Sequence, residues 1–451
     1  MATTITAASV YLPAYRRPGR RGGAARIVTA GFDEDAVTLA AEAVRQLGPA
    51  REGAAALLFA SASFPYAEKA NSATVAAAAG LPEGILAIDV GHGTRAALDA
   101  LALAGPLAAA VGPVIVVAAD CRRFPAASLG ESSAADAAVA VVVGPGEALC
   151  TIANGAAVNA EVLDAWRPDG EWLVREAEEH FREDAAIDAI RKALTRLAAT
   201  GEEGEGFARA VLPFADVRRR AAVAAAAGIG AERLAATTAA TIGYAGTAAP
   251  MLDLLLALGE TRPGQRLLWT VFGDGAAAYT VEAGTRRPDV RMLSEPPPGL
   301  EVDLPTYRSW RAADGGEPWA RTAPAPHALW REAGELFRFE AGRCGACGLV
   351  QYPPQRVCAR CRGRDWTPVS LADARGTVFT YSLDYVAGTP DIPLVHTVVD
   401  FDCGARAMMM LTDRDPAQVR IGMPVEPTFR RVFTADGIHN YLWKVRPAVR
   451  S

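Results

Sequence analysis

Short apolar runs alternate with alanine-rich stretches over the first 285 residues of the chain. The apolar runs are nearly continuous, which is typical of strands buried on both faces, and they read ALLFASAS, PVIVVAAD, AAVAVVVG, RLLWTVFG and AAAYTVE. Between them lie helix-like stretches such as DEDAVTLAAEAVRQL, whose acidic first turn suits a helix dipole and whose Asp33 is a candidate N-cap. Residues 1–285 are therefore predicted to form an α/β domain with helices on both faces of its sheets.

A weak internal repeat runs through this region. The segment SAADAAVAVVVG at residues 133–144 resembles GDGAAAYTVEAG at residues 273–284. Both begin with small residues and continue as an apolar strand. Such pairs arise often in α/β proteins, so the repeat alone does not establish a duplication.

The pattern changes after residue 285. Residues 286–325 are rich in proline, glycine and charge without a sustained period, which predicts a linker or an extended strap. A short amphipathic helix, HALWREAGELFRFEAG, then leads into a cysteine-rich segment, and the two make up residues 326–366. Residues 367–451 carry five short strand-like runs separated by turn residues, which favours a small β-barrel.

Four of the seven cysteines follow the spacing C-x2-C-x10-C-x2-C, and they are Cys344, Cys347, Cys358 and Cys361. Two Cys-x-x-Cys turns direct four sulfurs at one centre, and such a tetrahedral thiolate shell suits zinc, or iron in a rubredoxin-like variant. Because protein sulfurs fill all four positions, no place remains for a reacting water. The spacing predicts a structural metal site.

Composition and charge limit the classes of function. With 451 residues, 51% of them hydrophobic, and a net charge of −5, the chain is expected to hold at least two globular domains and to bind no nucleic acid. No charge-free apolar run approaches the roughly 20 residues of a membrane span, and the N-terminus lacks the pattern of a secretory signal. The three remaining cysteines are scattered singly, as in a reducing cytoplasm. We therefore expect a cytoplasmic protein that is not bound to a membrane.

Three segments occur in order near the end of the chain: the cysteine-rich segment, ARGTVFTYSLDYV and DGIHNYLWKVRP. Over about residues 325–449 they resemble the acyl-CoA-associated zinc-ribbon/OB-fold family. The resemblance implies an OB-fold that accompanies thiolase-type enzymes and helps to hold coenzyme A, so a coenzyme A thioester is the expected ligand. The basic and aromatic residues suited to its phosphates and adenine are Arg430, Arg431, Tyr441, Trp443, Lys444 and Arg446. The alternative is an ordinary charged barrel surface over an aromatic core.

Seven further segments occur in order across the first domain: SVYLPAYR, DEDAVTLAAEA, SFPYAEK, ADCRRFPAASLGESSAADAAVAVVVG, LDAWRPDGEW, IGYAGTAAPMLDL and PGQRLLWTVFGDGAA. Together they resemble the hydroxymethylglutaryl-CoA synthase branch of the thiolase superfamily. The resemblance implies two similar halves packed together and so supports the internal repeat. The expected fold is a duplicated thiolase-like αβαβα domain, followed by a zinc ribbon and a small OB-fold barrel.

The same resemblance implies a catalytic set that this chain lacks. Thr94 stands at the position of the nucleophilic cysteine and Ala62 at that of the glutamate. Pro213 stands near the position of the histidine, and Tyr244 replaces the asparagine. A threonine hydroxyl is far less acidic than a thiol, and the sequence shows no base that would activate it.

Three polar residues remain as candidates for the pocket, namely His92, Thr94 and Tyr244. A histidine can titrate near neutrality, although a hydrogen-bonded loop histidine is the alternative for His92. Cys121 follows the strand VVAAD and is more simply a small packing residue than a nucleophile.

The sequence favours a non-catalytic subunit of an acyl-CoA C-acyltransferase complex of the thiolase type. Its OB-fold would shape a coenzyme A channel for a separate catalytic thiolase, and its first domain would act as the docking scaffold. That domain would also form a homodimer, with the strand PVIVVAAD at the seam. The main alternative is an active enzyme that makes or breaks C–C bonds of an acyl-CoA with a non-standard site, and a nucleic-acid-binding zinc-ribbon protein is a third reading that the negative charge disfavours.

Overall fold

The computed structural model describes residues 2–19, 24–91, 93–201, 206–312 and 322–448. The strands of the first domain are β1 (Thr3–Tyr11), β2 (Tyr15–Pro18), β3 (Arg26–Thr29), β4 (Ala56–Ala60), β5 (Leu86–Val90), β6 (Val114–Asp120), β7 (Ala137–Val143), β8 (Cys150–Asn159), β9 (Ala165–Trp166), β10 (Arg175–Glu176), β11 (Arg209–Val211), β12 (Arg266–Phe272), β13 (Gly275–Ala283) and β14 (Leu300–Glu301). Nine of them form one sheet in the order β11-β12-β13-β8-β1-β7-β6-β4-β5.

The order of this sheet contains the duplication. In the first half, β4 lies parallel to β6, which pairs antiparallel with β7 and then β1. In the second half, β11 lies parallel to β12, which pairs antiparallel with β13 and then β8. The two repeated sequence segments lead into β7 and β13, which occupy equivalent places. The pairing of β1 with β8 joins the halves, and among the nine strands of this sheet only β5 has no counterpart.

Helices cover both faces of each half. They are α1 (Ala36–Gln46), α2 (Asn71–Ala78), α3 (Ala96–Val111), α4 (Leu129–Ser133), α5 (Glu179–Ala198), α6 (Val217–Ala226), α7 (Ala249–Glu260), α8 (Arg291–Ser294) and α9 (Leu304–Ala312). Helices α1 and α2 pack on the outside of the first half, and α5 and α6 on the outside of the second. Helices α3 and α7 share the core between the halves. These layers are the αβαβα architecture expected from the sequence.

Alternation along the strands explains the layers. Leu57 and Phe59 of β4 point into the outer core with α1, whereas Ala56 and Leu58 point into the central core with α3 and α7. Because successive side chains of a strand face opposite sides, a continuous apolar run is what a sheet covered on both faces requires.

The segment predicted as a linker, residues 286–325, packs on the first domain where it is described. It contains α8, α9 and β14, which pairs with β2. Tyr307 and Trp310 of α9 are buried, Trp310 meets Tyr15 edge-on with ring centroids 4.9 Å apart, and Arg17 lies over the Tyr307 ring. The sequence did not predict these elements because the segment has no sustained hydrophobic period. A few large aromatic side chains hold the segment on the first domain instead.

The C-terminal region has the expected ribbon and barrel. Two short helices, α10 (Pro326–Arg331) and α11 (Ala333–Arg338), precede the ribbon strands β15 (Glu340–Cys344), β16 (Val350–Gln351) and β17 (Trp366–Ser370). Five strands then close a barrel in the order β18-β19-β20-β22-β21, and they are β18 (Gly376–Asp384), β19 (Leu394–Phe401), β20 (Arg406–Leu411), β21 (Pro424–Ala435) and β22 (Ile438–Pro447). The barrel core and the outer core around α1 are one continuous apolar cluster, so the barrel rests on the α1 face.

Two expectations about single elements are wrong. The strand PVIVVAAD, which is β6, is an interior strand between β4 and β7, and every one of its residues is buried, so it cannot form a dimer seam. The N-cap of α1 is Asp35, whose side chain accepts hydrogen bonds from the backbone N–H groups of Val37 and Thr38, rather than Asp33. Within the described ranges, every helix falls short of the length and apolar character that crossing a membrane requires.

Candidate functional site

A small cavity brings together three of the four positions where the resemblance places catalytic residues. Thr94 precedes α3, Pro213 follows β11, and Tyr244 precedes α7, and all three line a space of about 60 Å³. The Tyr244 backbone pairs with the first half through hydrogen bonds to Ser133 and Ala135 of 2.8 and 2.9 Å. The two halves of the domain thus meet at this cavity. Of the other pocket candidates, His92 lies outside the described residues.

The polar side chains of this cavity are carboxylates, arginines, Thr94 and Tyr244. Burial raises the pKa of Tyr244 to about 12, although the nearby Arg122 opposes the shift. Burial also raises the pKa of Asp164, with Arg182 as the main opposing charge. At neutral pH Tyr244 is therefore a neutral hydroxyl that can donate a hydrogen bond. No cysteine or histidine is among the described residues that line the cavity.

Of the cysteines, Cys121 is the nearest in sequence to the residues of this cavity, but it lines a different cavity. Its thiol is buried, accepts a hydrogen bond from Arg311 Nη1 at 2.6 Å, and has a pKa that burial raises to about 12. A thiol that stays protonated at neutral pH is a poor nucleophile. Cys121 is therefore not placed to replace the missing cysteine.

Ala62, the fourth position, lines a second cavity of about 50 Å³ at the junction with the barrel. Four arginines line this second cavity, and they are Arg122, Arg123, Arg167 and Arg431. Arg122 also lines the first cavity, so the two spaces adjoin through its side chain. His439, from β22, closes the second cavity on the barrel side.

Asp120 fixes the loops that shape both cavities. One carboxylate oxygen of Asp120 accepts hydrogen bonds from the Ser61 hydroxyl, the Ala62 N–H and the Ser63 hydroxyl at 2.8–3.1 Å. The other accepts from the Thr247 N–H at 2.7 Å. A single buried side chain at the end of β6 thereby ties the loop after β4 to the turn before α7.

Most of the residues proposed to contact coenzyme A are buried inside the protein, whereas a ligand contact requires an accessible side chain. Arg430, Tyr441 and Lys444 are buried between the barrel and α1, where Tyr441 donates a hydrogen bond of 2.7 Å to Asp35. Lys444 Nζ lies 2.8 Å from Asp33. In this structure these three side chains are therefore not open to a ligand phosphate, and this corrects the sequence expectation.

Trp443 and Arg446, two other proposed coenzyme A contacts, also interact with other residues of the chain. Trp443 stacks on Phe339 with ring centroids 5.2 Å apart and helps to fill the barrel core. Arg446 lies 3.1 Å from Glu42 of α1. Arg431 lines the second cavity, and Arg446 lines a separate surface pocket together with Glu42 and Glu426.

The charges between barrel and α1 form one buried network. Arg430 Nη1 lies 2.8 Å from Glu34, and Arg430 Nη2 lies 2.6 Å from Asp413. Burial raises the pKa of Glu34 to about 7, and Arg430 opposes the shift. Burial also works against the charge of Asp33, but Lys444 and Arg430 outweigh it and hold its pKa below the usual value. The sequence analysis interpreted the acidic start DED as a helix-dipole and N-cap signal and missed that these acids face a second domain.

The four ribbon cysteines lie together as predicted. Their sulfur atoms are all within 4.8 Å of one another, and the pairs Cys344–Cys361 and Cys347–Cys358 are 3.6 Å apart. Zinc–sulfur bonds of about 2.3 Å would place tetrahedral sulfurs roughly 3.8 Å apart, so the arrangement fits zinc.

The backbone around these sulfurs is built as two matching turns. Gly348 N–H donates to the Cys344 carbonyl and Arg362 N–H to the Cys358 carbonyl, both at 2.9 Å. Gly348 and Arg362 have left-handed φ values of 72° and 63°. A side chain at Gly363 would place its Cβ 3.3 Å from the Cys344 and Cys361 sulfurs. The tight cradle is consistent with four thiolates holding a structural metal.

Comparison with known proteins finds relatives for the C-terminal part of the chain. The family profile described as "ChsH2, rubredoxin-like zinc ribbon domain" matches residues 331–367, and "ChsH2, C-terminal OB-fold domain" matches residues 368–430. A DUF35 domain-containing scaffold protein of Methanocaldococcus jannaschii is 32% identical over 123 residues, which cover 26% of this chain and 87% of that protein.

The first domain has relatives of a different kind. A hydroxymethylglutaryl-CoA synthase of Pyrobaculum neutrophilum is 30% identical over 266 residues, which cover 56% of this chain and 75% of that protein. A crystal structure of HMG-CoA synthase complexed with CoA superposes with a TM-score of 0.61 at 15% identity, covering 68% of this chain and 90% of that one. This structural likeness shows the fold. The chain therefore belongs to the hydroxymethylglutaryl-CoA synthase family through its thiolase-like domain and to the DUF35 domain family through its zinc ribbon and OB-fold.

Proposed function

We propose that the chain is a non-catalytic, acyl-CoA-associated subunit of a thiolase-type acyltransferase complex. The observation that carries the proposal is the cavity in which Thr94, Pro213 and Tyr244 meet, at the positions expected for cysteine, histidine and asparagine. Acyl transfer of this kind requires a nucleophile with an activating base. The geometry brings the right positions together but supplies the wrong side chains, so the fold serves binding and assembly.

The fused barrel supports a scaffold role. Its inner side is held on α1 by the buried ion pairs, which fixes its position relative to the first domain. We divide the chain into a thiolase-like domain at 1–285, a connecting segment at 286–325, a helix and zinc ribbon at 326–366 and an OB-fold domain at 367–451. Covalent attachment keeps the two functional parts at high effective concentration.

A set of exposed side chains on the barrel suits a partner subunit. These side chains are apolar or aromatic and lie on β18 and β20 and in the loop between β18 and β19, namely Phe379, Tyr381, Tyr385, Val386, Ile392 and Met408. Exposed apolar groups on neighbouring segments are typical of protein interfaces. We assign the surface to a separate catalytic thiolase, since the relatives of this barrel are independent chains called scaffold proteins.

The homodimer remains part of the proposal, with a different strand at its seam. Strand β5 is an edge of the nine-stranded sheet, and its Leu86 and Ile88 are 45% and 39% exposed. Helix α3 contacts β5 and exposes Leu103 and Val111. An apolar edge strand invites pairing with a second copy, which would remove both the open backbone groups and the exposed apolar surface.

A second candidate function rests on Tyr244 and Asp164. The two side chains line the same cavity, and burial raises the pKa of each. A neutral tyrosine hydroxyl can stabilise a developing oxyanion, as retro-aldol cleavage of an acyl-CoA would need. In this reading the chain is an enzyme with a non-standard site.

One experiment separates the two functions. The purified chain is incubated with acyl-CoA thioesters, alone and with a co-encoded thiolase, and cleavage or condensation is followed by mass spectrometry. The scaffold function predicts activity only with the thiolase, and activity that Tyr244→Phe does not change. Turnover by the chain alone, lost in Tyr244→Phe, would establish the enzyme instead.

We expect the assembly in the cytoplasm, where its unpaired cysteines stay reduced.

A further inference from the structure

The zinc ribbon carries a dense group of positive charges. Residues 341–370 contain a single carboxylate side chain, Asp365, and no lysine or histidine. The arginines of this segment are Arg343, Arg356, Arg360, Arg362 and Arg364, and we call them the ribbon arginine cluster. Because the chain as a whole has a net charge of −5, the cluster is a local excess of positive charge on an acidic protein.

The ribbon fold brings the members of the cluster together. Four of them fall within residues 356–364, around the turn that holds Cys358 and Cys361. The fifth, Arg343, lies on β15, and the next residue of that strand, Cys344, pairs with Trp366 of β17. This pairing places Arg343 near the end of the segment that carries the other four.

The charges of the cluster have no partner in the described part of the chain. All five side chains are exposed. Among the described residues, their guanidinium groups form no ion pair, no hydrogen bond and no cation–π contact. Other exposed arginines differ, since Arg175 pairs with Glu171 and Arg406 pairs with Asp400. The cluster is therefore free to pair with charges from outside the chain.

The cluster does not neutralise the metal site. A metal held by four thiolates leaves a net negative charge, and arginines that balanced it would donate to the sulfur atoms. The Cys358 sulfur instead accepts hydrogen bonds from the backbone N–H groups of Arg360 and Cys361 and lies 3.6 Å from the Cys347 sulfur. In the part of the chain that the structure describes, no guanidinium group donates to a ribbon sulfur.

The backbone that carries the cluster is fixed by hydrogen bonds. The Cys358 N–H donates to the Gly363 carbonyl at 2.9 Å. The Ala359 N–H donates to Gln351 Oε1, also at 2.9 Å. A rigid loop loses little entropy when it binds, so these arginines form a pre-organised binding surface.

The surroundings of the cluster favour a protein partner over a nucleic acid. Single-stranded nucleic acids are bound on aromatic side chains that stack on the bases. Both aromatic residues of this segment are engaged within the protein: Tyr352 meets Phe339 edge-on with ring centroids 4.8 Å apart, and Trp366 lies against Gly342. Val357, within the cluster, is 42% exposed. Arginine beside exposed apolar side chains is typical of protein interfaces.

We propose that the ribbon arginine cluster docks a carboxylate-rich segment of another protein. A guanidinium group forms two parallel hydrogen bonds with one carboxylate, which aspartate and glutamate side chains supply. The net negative charge of the chain opposes the approach of a long polyanion, whereas a short acidic segment needs to contact only the ribbon. The site depends neither on catalysis by the chain nor on the subunit assigned to the barrel.

Fluorescence anisotropy of the full chain tests the chemistry of the partner. The probes are a labelled peptide of alternating glutamate and serine, its glutamine–serine counterpart and an oligothymidylate of the same charge as the glutamate peptide. At low ionic strength the glutamate peptide should bind at least about tenfold more tightly than the glutamine peptide and more tightly than the oligothymidylate, and added salt should weaken it. Equal affinities for the two peptides would overturn the proposal, as would tighter binding of the oligothymidylate.

Two variants remove charge from the cluster. Arg360→Gln/Arg362→Gln/Arg364→Gln should weaken binding of the glutamate peptide at least about tenfold. Metal analysis and circular dichroism check that this variant keeps its fold. Arg343→Gln/Arg356→Gln leaves the turn around the second cysteine pair unchanged and should weaken binding at least about threefold. Unchanged affinity in both variants would overturn the proposal.

A control variant removes the same charge elsewhere. Arg26→Gln/Arg175→Gln/Arg291→Gln also deletes three positive charges, from exposed arginines that are each paired with a carboxylate. Its affinity for the glutamate peptide should change less than about twofold. A loss equal to that of the triple variant in the ribbon would show that net charge alone sets the binding, and the proposal would then be wrong.

Discussion

The ammonium group of Lys444, on the last strand of the barrel, lies 2.8 Å from the carboxylate of Asp33, which precedes the first helix of the thiolase-like domain. Both side chains are at most 3% exposed, and the residues are 411 positions apart in the chain. The Thr412 hydroxyl donates to the same carboxylate at 3.1 Å. The ion pair connects the OB-fold barrel to the thiolase-like domain at a point that excludes water.

Removing one partner of this pair should destabilise the whole chain. Lys444→Met leaves the Asp33 carboxylate buried with fewer partners, and such uncompensated charges typically cost about 3–5 kcal/mol. Lys192→Met is the matched control, because the Lys192–Asp188 pair is 60% and 64% exposed and should contribute less than about 1 kcal/mol. Urea unfolding of both variants measures the difference. Equal losses of stability would contradict the role of the buried pair.

The stability of the protein should fall as pH rises from about 4.5 to about 7. The pKa of Glu34 is raised to about 7 in the folded chain, so the folded state holds a proton that the unfolded state releases. The groups that set this value besides burial are Arg430, Asp413, Asp33 and Tyr11. One such proton changes the free energy of unfolding by at most about 1.4 kcal/mol per pH unit. Asp33, whose pKa lies below its usual value, acts in the opposite direction at lower pH.

Glu34→Gln should flatten this pH profile, since the variant has no proton to bind at that position. Thermal unfolding at a series of pH values compares the two proteins. A profile for Glu34→Gln that runs parallel to that of the unmodified chain between pH 4.5 and 7 would show that another group is responsible.

The ribbon should hold one zinc ion per chain and need it for folding. Cys358→Ser removes one of four thiolates and should unfold the C-terminal domain, because metal binding and folding of such ribbons are coupled. Cys403→Ser is the control, since Cys403 is a partly buried cysteine of the barrel outside the ribbon. Metal analysis and circular dichroism of both variants provide the measurement. A well-folded chain that contains neither zinc nor iron would refute the metal site.

The chain should form no covalent acyl-enzyme with acetyl-CoA or acetoacetyl-CoA. Thr94 is the side chain at the nucleophile position, and the Cys121 thiol stays protonated in a separate cavity. Intact-protein mass spectrometry should show no increase in mass on incubation, either for the unmodified chain or for Thr94→Ala. A stable adduct that disappears in Thr94→Ala would support the enzyme instead of the scaffold.

The dimer should depend on the edge strand β5. Replacing Leu86 and Ile88 by lysine places like charges at a self-complementary seam and should convert the dimer to monomer, as light scattering would show. Leu163→Lys, at a 57% exposed leucine, is the control. A monomer at micromolar concentration before any substitution would remove the dimer from the proposal.

Features that depend on a local pattern could be predicted from the amino-acid sequence. Continuous apolar runs fixed the double-sided cover of the sheet, the small-residue repeat marked the equivalent strands β7 and β13, and the cysteine spacing placed four sulfurs within 4.8 Å. Each of these signals lies within a few residues, where the chain geometry leaves few alternatives. Thr94, Pro213 and Tyr244 were placed by the family resemblance and not by a local pattern, and the three residues line one cavity.

Which faces of these elements meet depends on tertiary packing and could not be predicted from local patterns. Strands β5 and β6 are both apolar in sequence. They differ in the number of neighbouring strands, because β6 lies inside the sheet and β5 lies at its edge, and a local sequence pattern does not show this difference. Lys444 and Asp33 are each an ordinary charged residue in sequence, and they become a buried pair because the barrel closes over the start of α1. Long-range contacts of this kind depend on the packing of whole domains, so charge, burial and pKa at the junction follow from the fold and not from the residues alone.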